Sequence, residues 1–141
     1  MRKTYFVDTN IFIRYLTNDN PEDAQRCLVL FQRARSSKIN ITSSPEVIAE
    51  VVYVLSREPY TKERNTIANY LKQLILLFNI PPQEKNLYLD GLKFFSSEKV
   101  DYEDAMLVAR TTAAHEDTIY SYDNDFNRFD PVSYTHLRAH E

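Results

Sequence analysis

The stretch Tyr5-Phe6-Val7-Asp8-Thr9-Asn10-Ile11-Phe12 constrains the fold more than any other. Tyr5, Phe6 and Val7 form a short apolar run of strand-type residues. Ile11, Phe12, Tyr15 and Leu16 then recur at helical spacing. A buried strand therefore passes straight into a helix, with an acid, a hydroxyl and an amide at the junction. Ligands of open α/β sheets bind at the carboxyl ends of the strands. Asp8 stands at such an end and is a candidate first ligand of a divalent metal. Its competing role is to cap the helix that begins near Asn10. Taken alone, the two readings of Asp8 weigh equally.

The rest of the chain alternates helices and short strands. Asn20-Pro21-Glu22-Asp23 is a helix start, with a capping amide, proline in the first position and acids in the first turn. Ala24, Cys27, Leu28 and Phe31 give that helix its apolar stripe. Ile39 to Thr42 alternates as a strand, and Ser43-Ser44-Pro45-Glu46 restarts a helix that runs to about Ser56. Val47, Ile48, Val51, Val52, Val54 and Leu55 make this helix apolar on most sides, which predicts burial. Further helices are expected over 61–78, 83–97 and around Ala105–Ala109, with a second buried strand at Thr118–Ser121. The order predicts an α/β sandwich around a short parallel sheet. The last ten residues, Val132–Glu141, follow neither period. They resemble a translated sequencing adapter and are expected to be disordered, leaving residues 1–131 as the folded domain.

Within this pattern the acids stand out. Glu50 falls in the middle of the most apolar helix, where an unpaired carboxylate is costly; an ion pair with Arg57 or a thin solvent stripe is the plainer explanation. Asp104 follows Asp101 at a spacing that also suits helix capping. Asp123 comes just after the second strand, and Asp123-x-Asp125 also fits an Asx turn. The loop lacks the glycine and distal glutamate of an EF-hand. Gathered together, such carboxylates would repel by roughly 4 kcal/mol per pair at 4 Å and an effective dielectric of 20. They persist in company only with shared protons or bound cations. Oxygen ligands without cysteine or histidine favour Mg²⁺ or Mn²⁺.

Bulk composition excludes several other classes. The 141 residues carry 17 basic and 20 acidic side chains, a net charge of -3, so charge alone does not hold nucleic acid here. The single cysteine, Cys27, has no disulfide partner and reads as an inert core thiol. No membrane span or apolar signal segment is evident, and a cytoplasmic protein is expected.

The chain resembles PIN domains, specifically the VapC-type toxin nucleases of toxin–antitoxin pairs. The resemblance rests on Val7-Asp8-Thr9-Asn10 through Leu16, Ile48-Ala49-Glu50 through Leu55, Val100-Asp101-Tyr102-Glu103-Asp104-Ala105, and Ser121-Tyr122-Asp123-Asn124-Asp125-Phe126. It spans roughly Lys3 to Asp130. It implies a PIN-like three-layer sandwich, with a short parallel central sheet flanked by helices. It implies metal-site acids at Asp8, Glu50, Asp104 and Asp123, with Asp125 a candidate fifth. Thr9, Asn10 and Ser121 fall in supporting positions.

The activity so implied is Mg²⁺-dependent endoribonuclease cleavage of RNA. Implied partners are RNA, a cognate antitoxin protein and a second copy of the chain. Apolar surface on the helices over 21–36, 45–56 and 61–78, including Tyr70, Leu74 and Phe78, points to the same homodimer. The alternative is a catalytically inactive module that binds RNA or protein. A haloacid-dehalogenase-type phosphatase would need an aspartate where Asn10 stands.

Overall fold

A computed structural model of the chain describes residues 2–115 and 118–122, and the backbone of 133–136. The chain divides into two compact units, Met1–Lys85 and Asn86–Glu141.

The first unit opens with strand β1 (Thr4–Phe6), helix α1 (Thr9–Thr17), helix α2 (Pro21–Arg35) and strand β2 (Asn40–Thr42). Helices α3 (Pro45–Ser56) and α4 (Arg64–Ile75) follow. β1 and β2 pair in parallel, Thr4 with Asn40, Tyr5 with Ile41 and Phe6 with Thr42. This is the expected short parallel sheet. The Val7 amide extends it by donating to the Thr42 carbonyl at 2.9 Å. On the other side of β2, Phe78 bridges Ile41 in parallel, and the Asn79 amide donates to the Ile41 carbonyl at 2.8 Å.

The cap signals act as the sequence suggests. The Asn20 side chain accepts from the Asp23 amide at 3.2 Å, and Ser44 Oγ accepts from the Val47 amide at 3.2 Å. Each satisfies a backbone donor that the first helical turn leaves without a partner. α4 is shorter than expected at both ends. Thr61 takes φ 45°, a left-handed conformation that no helix can start from, and Phe78 leaves the helix to bridge the sheet.

Aromatic rings fill the core of this unit. Phe12 lies with its ring centroid 5.9 Å from Phe31 and 6.2 Å from Phe78, and Tyr15 lies 4.7 Å from Phe31. Ile41, Ile48, Val51, Leu55, Ile67, Leu71 and Ile75 are fully buried around them. Cys27 is buried as expected.

Two expectations are corrected here. α3 is not buried all round: Ile48, Val51, Val52 and Leu55 face inward, while Glu46, Glu50 and Tyr53 form an exposed stripe at helical spacing. Glu50 is thus solvated and carries no burial penalty. Leu74 and Phe78 are buried rather than spare, so they offer no apolar surface to a partner.

In the second unit, helix α5 (Pro82–Glu98), which begins at the boundary, is followed by helix α6 (Tyr102–Ala113) and strands β3 (Thr118–Ser121) and β4 (Ser133–His136). Tyr88, Leu92 and Phe95 of α5 and Tyr102, Ala105, Val108 and Ala109 of α6 are buried. Phe95 and Tyr102 meet edge to face at 6.0 Å. Gly91, the only glycine in the chain, is a close-approach site. A Cβ built there would stand 2.0 Å from Met106 Sδ. β3 and β4 form a second parallel pair, Thr118 with Ser133 through Ser121 with His136. Within the foreign-looking tail beyond residue 131, Ser133–His136 is strand, its backbone pairing with β3. Among the described residues, no helix is long and apolar enough to cross a membrane.

Candidate active site

Three links build the site in the first unit. The first is the cap of α1. Asp8 sits in extended backbone directly after β1, and its Oδ1 accepts from the Ile11 amide at 3.3 Å. The capping reading of Asp8 is therefore realised. A carboxylate has two oxygens, and Oδ2 has no hydrogen-bond partner among the described residues.

The second link joins two helices. Thr9 Oγ1, in the first residue of α1, donates to Glu50 Oε2 on α3 at 2.8 Å. The hydroxyl next to Asp8 in sequence thus holds the Glu50 carboxylate at the carboxyl end of β1. A hydrogen bond to a charged acceptor is worth about 1.5–3 kcal/mol in favourable settings; this exposed one falls at or below the low end.

The third link is Ser43, at the carboxyl end of β2. Its Oγ donates to the Val7 carbonyl at 2.6 Å, anchoring the residue before Asp8. The sequence reading took Ser43 only as part of a helix start. Two serines in a row before Pro45 were the available signal: one hydroxyl, that of Ser44, suffices for the cap, which leaves the other for a different duty.

Arg57 does not neutralise Glu50. Its guanidinium carbon lies over the Tyr53 ring, 3.8 Å from the centroid. The ion pair that would have explained Glu50 structurally is not formed. Arg14 is paired elsewhere, 3.8 Å from Asp23. Burial pushes the Cys27 thiol pKa up. The Asp23 carboxylate adds to the rise, Arg14 opposes it, and Asp8 contributes a smaller rise. Cys27 is accordingly a protonated, unreactive thiol beside the site.

Asp104 and Ser121 belong to the second unit. Asp104 is half-buried in the first turn of α6. Asp101 occupies the cap position of that helix, but its side chain makes no capping bond. The spacing Asp101-x-x-Asp104 is therefore not a working cap on the Asp101 side. Ser121 closes β3. Asp123 and Asp125 lie outside the described residues. Among the described residues, no three His, Cys, Asp or Glu side chains gather into a set that could hold a metal ion. Within the first unit, Glu50 is bonded to Thr9, the residue that follows Asp8.

Asp8 and Glu50 each offer the kind of oxygen donor that a small hard cation takes. Both carboxylates are exposed, each has committed one oxygen to a fixed donor, and each keeps the other. Mg²⁺ retains several waters and is commonly bound through one or two carboxylates. The donors are oxygen alone, which favours Mg²⁺ or Mn²⁺ over zinc.

No curated protein and no solved structure matches the chain. A family profile does: the PIN domain, over residues 5–131. The match runs from β1, through the Asp8 junction and the helix carrying Glu50, to the segment after β3. With a strand-to-helix carboxylate, a hydroxyl-held glutamate and a short parallel sheet all inside it, the chain belongs to the PIN domain family.

Proposed function

We propose that this PIN domain is a Mg²⁺- or Mn²⁺-dependent endoribonuclease and the toxin of a toxin–antitoxin pair. PIN domains are typically nucleases that use divalent metal ions. The observation that carries the reading is the Thr9–Glu50 hydrogen bond, which ties a second carboxylate to the residue that follows Asp8, past the carboxyl end of a parallel strand. The narrower toxin assignment is supported by the motif resemblance around Asp8, Glu50, Asp104 and Asp123.

In this reading the residue-by-residue resemblance proposes Asp8, Glu50, Asp104 and Asp123 as metal-binding acids, with Asp125 a candidate further one and Thr9, Asn10 and Ser121 in supporting positions. A bound divalent ion supplies an acidified water and offsets the charge of the scissile phosphate. The chain's own part is positional. Asp8 is fixed by the α1 cap, Glu50 by the Thr9 hydroxyl, and the end of β1 by Ser43. Solvent exposure of Asp8 and Glu50 leaves room for a phosphate to approach.

Parallel cleavage and binding assays on single-stranded RNA separate catalysis from mere binding. The parent should cleave, and Asp8→Asn should bind without cleaving. A parent that binds RNA in Mg²⁺ and leaves it whole would instead support the inactive binding module. The proposal places the protein in the cytoplasm as a homodimer, silenced by an antitoxin that competes with Mg²⁺. Light scattering at micromolar concentration should give twice the monomer mass. Antitoxin affinity should fall as Mg²⁺ rises.

A further inference from the structure

We propose that Tyr53 and Arg57 form the substrate platform beside the acids, stacking one unpaired RNA base and holding the phosphate next to it. The assignment rests on the nuclease reading of the Asp8–Glu50 site.

Glu50, Tyr53 and Arg57 lie on one exposed face of α3 and its end, at i, i+3 and i+7. At the helical rise, Tyr53 is about 4.5 Å along the axis from Glu50. A base on its ring is therefore a near neighbour of the reacting phosphate. Towards the start of α3 the same face carries only acid, Glu46 and Glu50, so a polyanion is favoured only towards Tyr53 and Arg57. The Tyr53 ring has the Arg57 guanidinium 3.8 Å from its centroid, yet the residue remains 52% exposed. Large aromatic surface held open to solvent is unfavourable to the isolated chain. A nucleobase would cover it.

The pairing of an aromatic face with a guanidinium plane is the chemistry that recognises splayed-out bases of single-stranded RNA. Stacking tolerates any base, because each has a π-face. Arg57 offers planar N–H donors that match phosphate oxygens. With a net charge of -3, the chain lacks the general basic surface that would otherwise hold RNA. Local contacts of this kind must supply the affinity.

The test uses the full chain in EDTA with a single-stranded RNA of about a dozen nucleotides carrying 2-aminopurine. Parent and Tyr53→Phe should bind and quench the fluorescent base. Tyr53→Ala should bind about tenfold more weakly or worse, with the quench lost. Arg57→Ala should also weaken binding and lower the salt slope by about 0.7, the release expected for one single-strand phosphate contact. Circular dichroism melts should show both alanine variants folded, since both side chains are exposed. Parent-like affinity and quenching in Tyr53→Ala would overturn the proposal, as would equal competition by duplex RNA of the same length. A parent that binds and quenches in EDTA yet never cleaves in Mg²⁺ would sink the nuclease reading and leave the platform standing.

Discussion

The Thr9 hydroxyl donates to the Glu50 carboxylate at 2.8 Å, across 41 residues of sequence. This bond ties the first turn of α1 to the middle of α3 and sets where the second acid stands. Thr9→Val keeps the shape of the side chain and removes the donor. Partners that orient a metal-binding carboxylate typically contribute about 10–100-fold in metal affinity or activity. Thr9→Val should lose activity in that range with little change in melting temperature, and Thr9→Ser should recover most of it. Parent-like Mg²⁺ dependence in Thr9→Val would show that the bond is ornamental.

Glu50→Gln tests the acid itself. The amide oxygen can still accept from Thr9, so the link between α1 and α3 survives. One negative charge is gone, and no ion pair with Arg57 is broken. Cleavage should be abolished, while metal-free stability should hold or rise. A clear fall in the melting temperature of the metal-free protein would reveal a structural role for the charge instead.

Much of this site could be read from the sequence, and the missing parts have physical causes. The Asp8 junction, the Asn20 and Ser44 caps and the span of α3 follow from local chemistry within a few residues. Of the readings open for Glu50, the thin solvent stripe is the one realised; the hydrophobic count of α3 obscures it, because Glu46, Glu50 and Tyr53 share one face. The Ser43–Val7 bond could not be read, since it depends on β1 and β2 lying side by side in register. The pairing of Ser133–His136 with β3 was missed for the same reason: strand pairing is non-local, and the segment has no apolar alternation. The true end of α4 was missed because Phe78 leaves helix for a sheet contact that lies 37 residues away in sequence at Ile41.

Gly91 should resist replacement. Alanine is favoured over glycine in helices by about 1 kcal/mol, but here its Cβ would meet Met106 Sδ. Over-packing a buried contact costs about 1–3 kcal/mol, so Gly91→Ala should lower stability in spite of its helix propensity. With Met106→Ala in place the obstruction is gone, and the same change should become neutral or stabilising. A double-mutant cycle in denaturant melts reads this coupling. Additive effects would mean that Met106 swings aside freely.

Tyr102 makes the chain sensitive to alkali. Its hydroxyl is buried without a hydrogen-bond partner among the described residues. Burial pushes its pKa well above the usual tyrosine value, and Tyr88 and Glu103 add to the rise against Arg110. An unfolded tyrosine loses its proton near pH 10, while the folded one keeps it. The unfolded state then binds fewer protons, so stability falls as pH rises above about 10. Tyr102→Phe keeps the packing against Phe95 and removes the unpaired hydroxyl. It should be at least as stable as the parent at neutral pH and lose less stability between pH 9 and about 11. Identical pH profiles for the two proteins would contradict this.

The most direct measurement is the metal dependence of RNA cleavage by the purified 141-residue chain. Cleavage of single-stranded RNA should be absent in EDTA, appear on titration with Mg²⁺ or Mn²⁺, and vanish at every metal concentration in Asp8→Asn. Cleavage that persists in EDTA, or that survives in Asp8→Asn, would contradict the account.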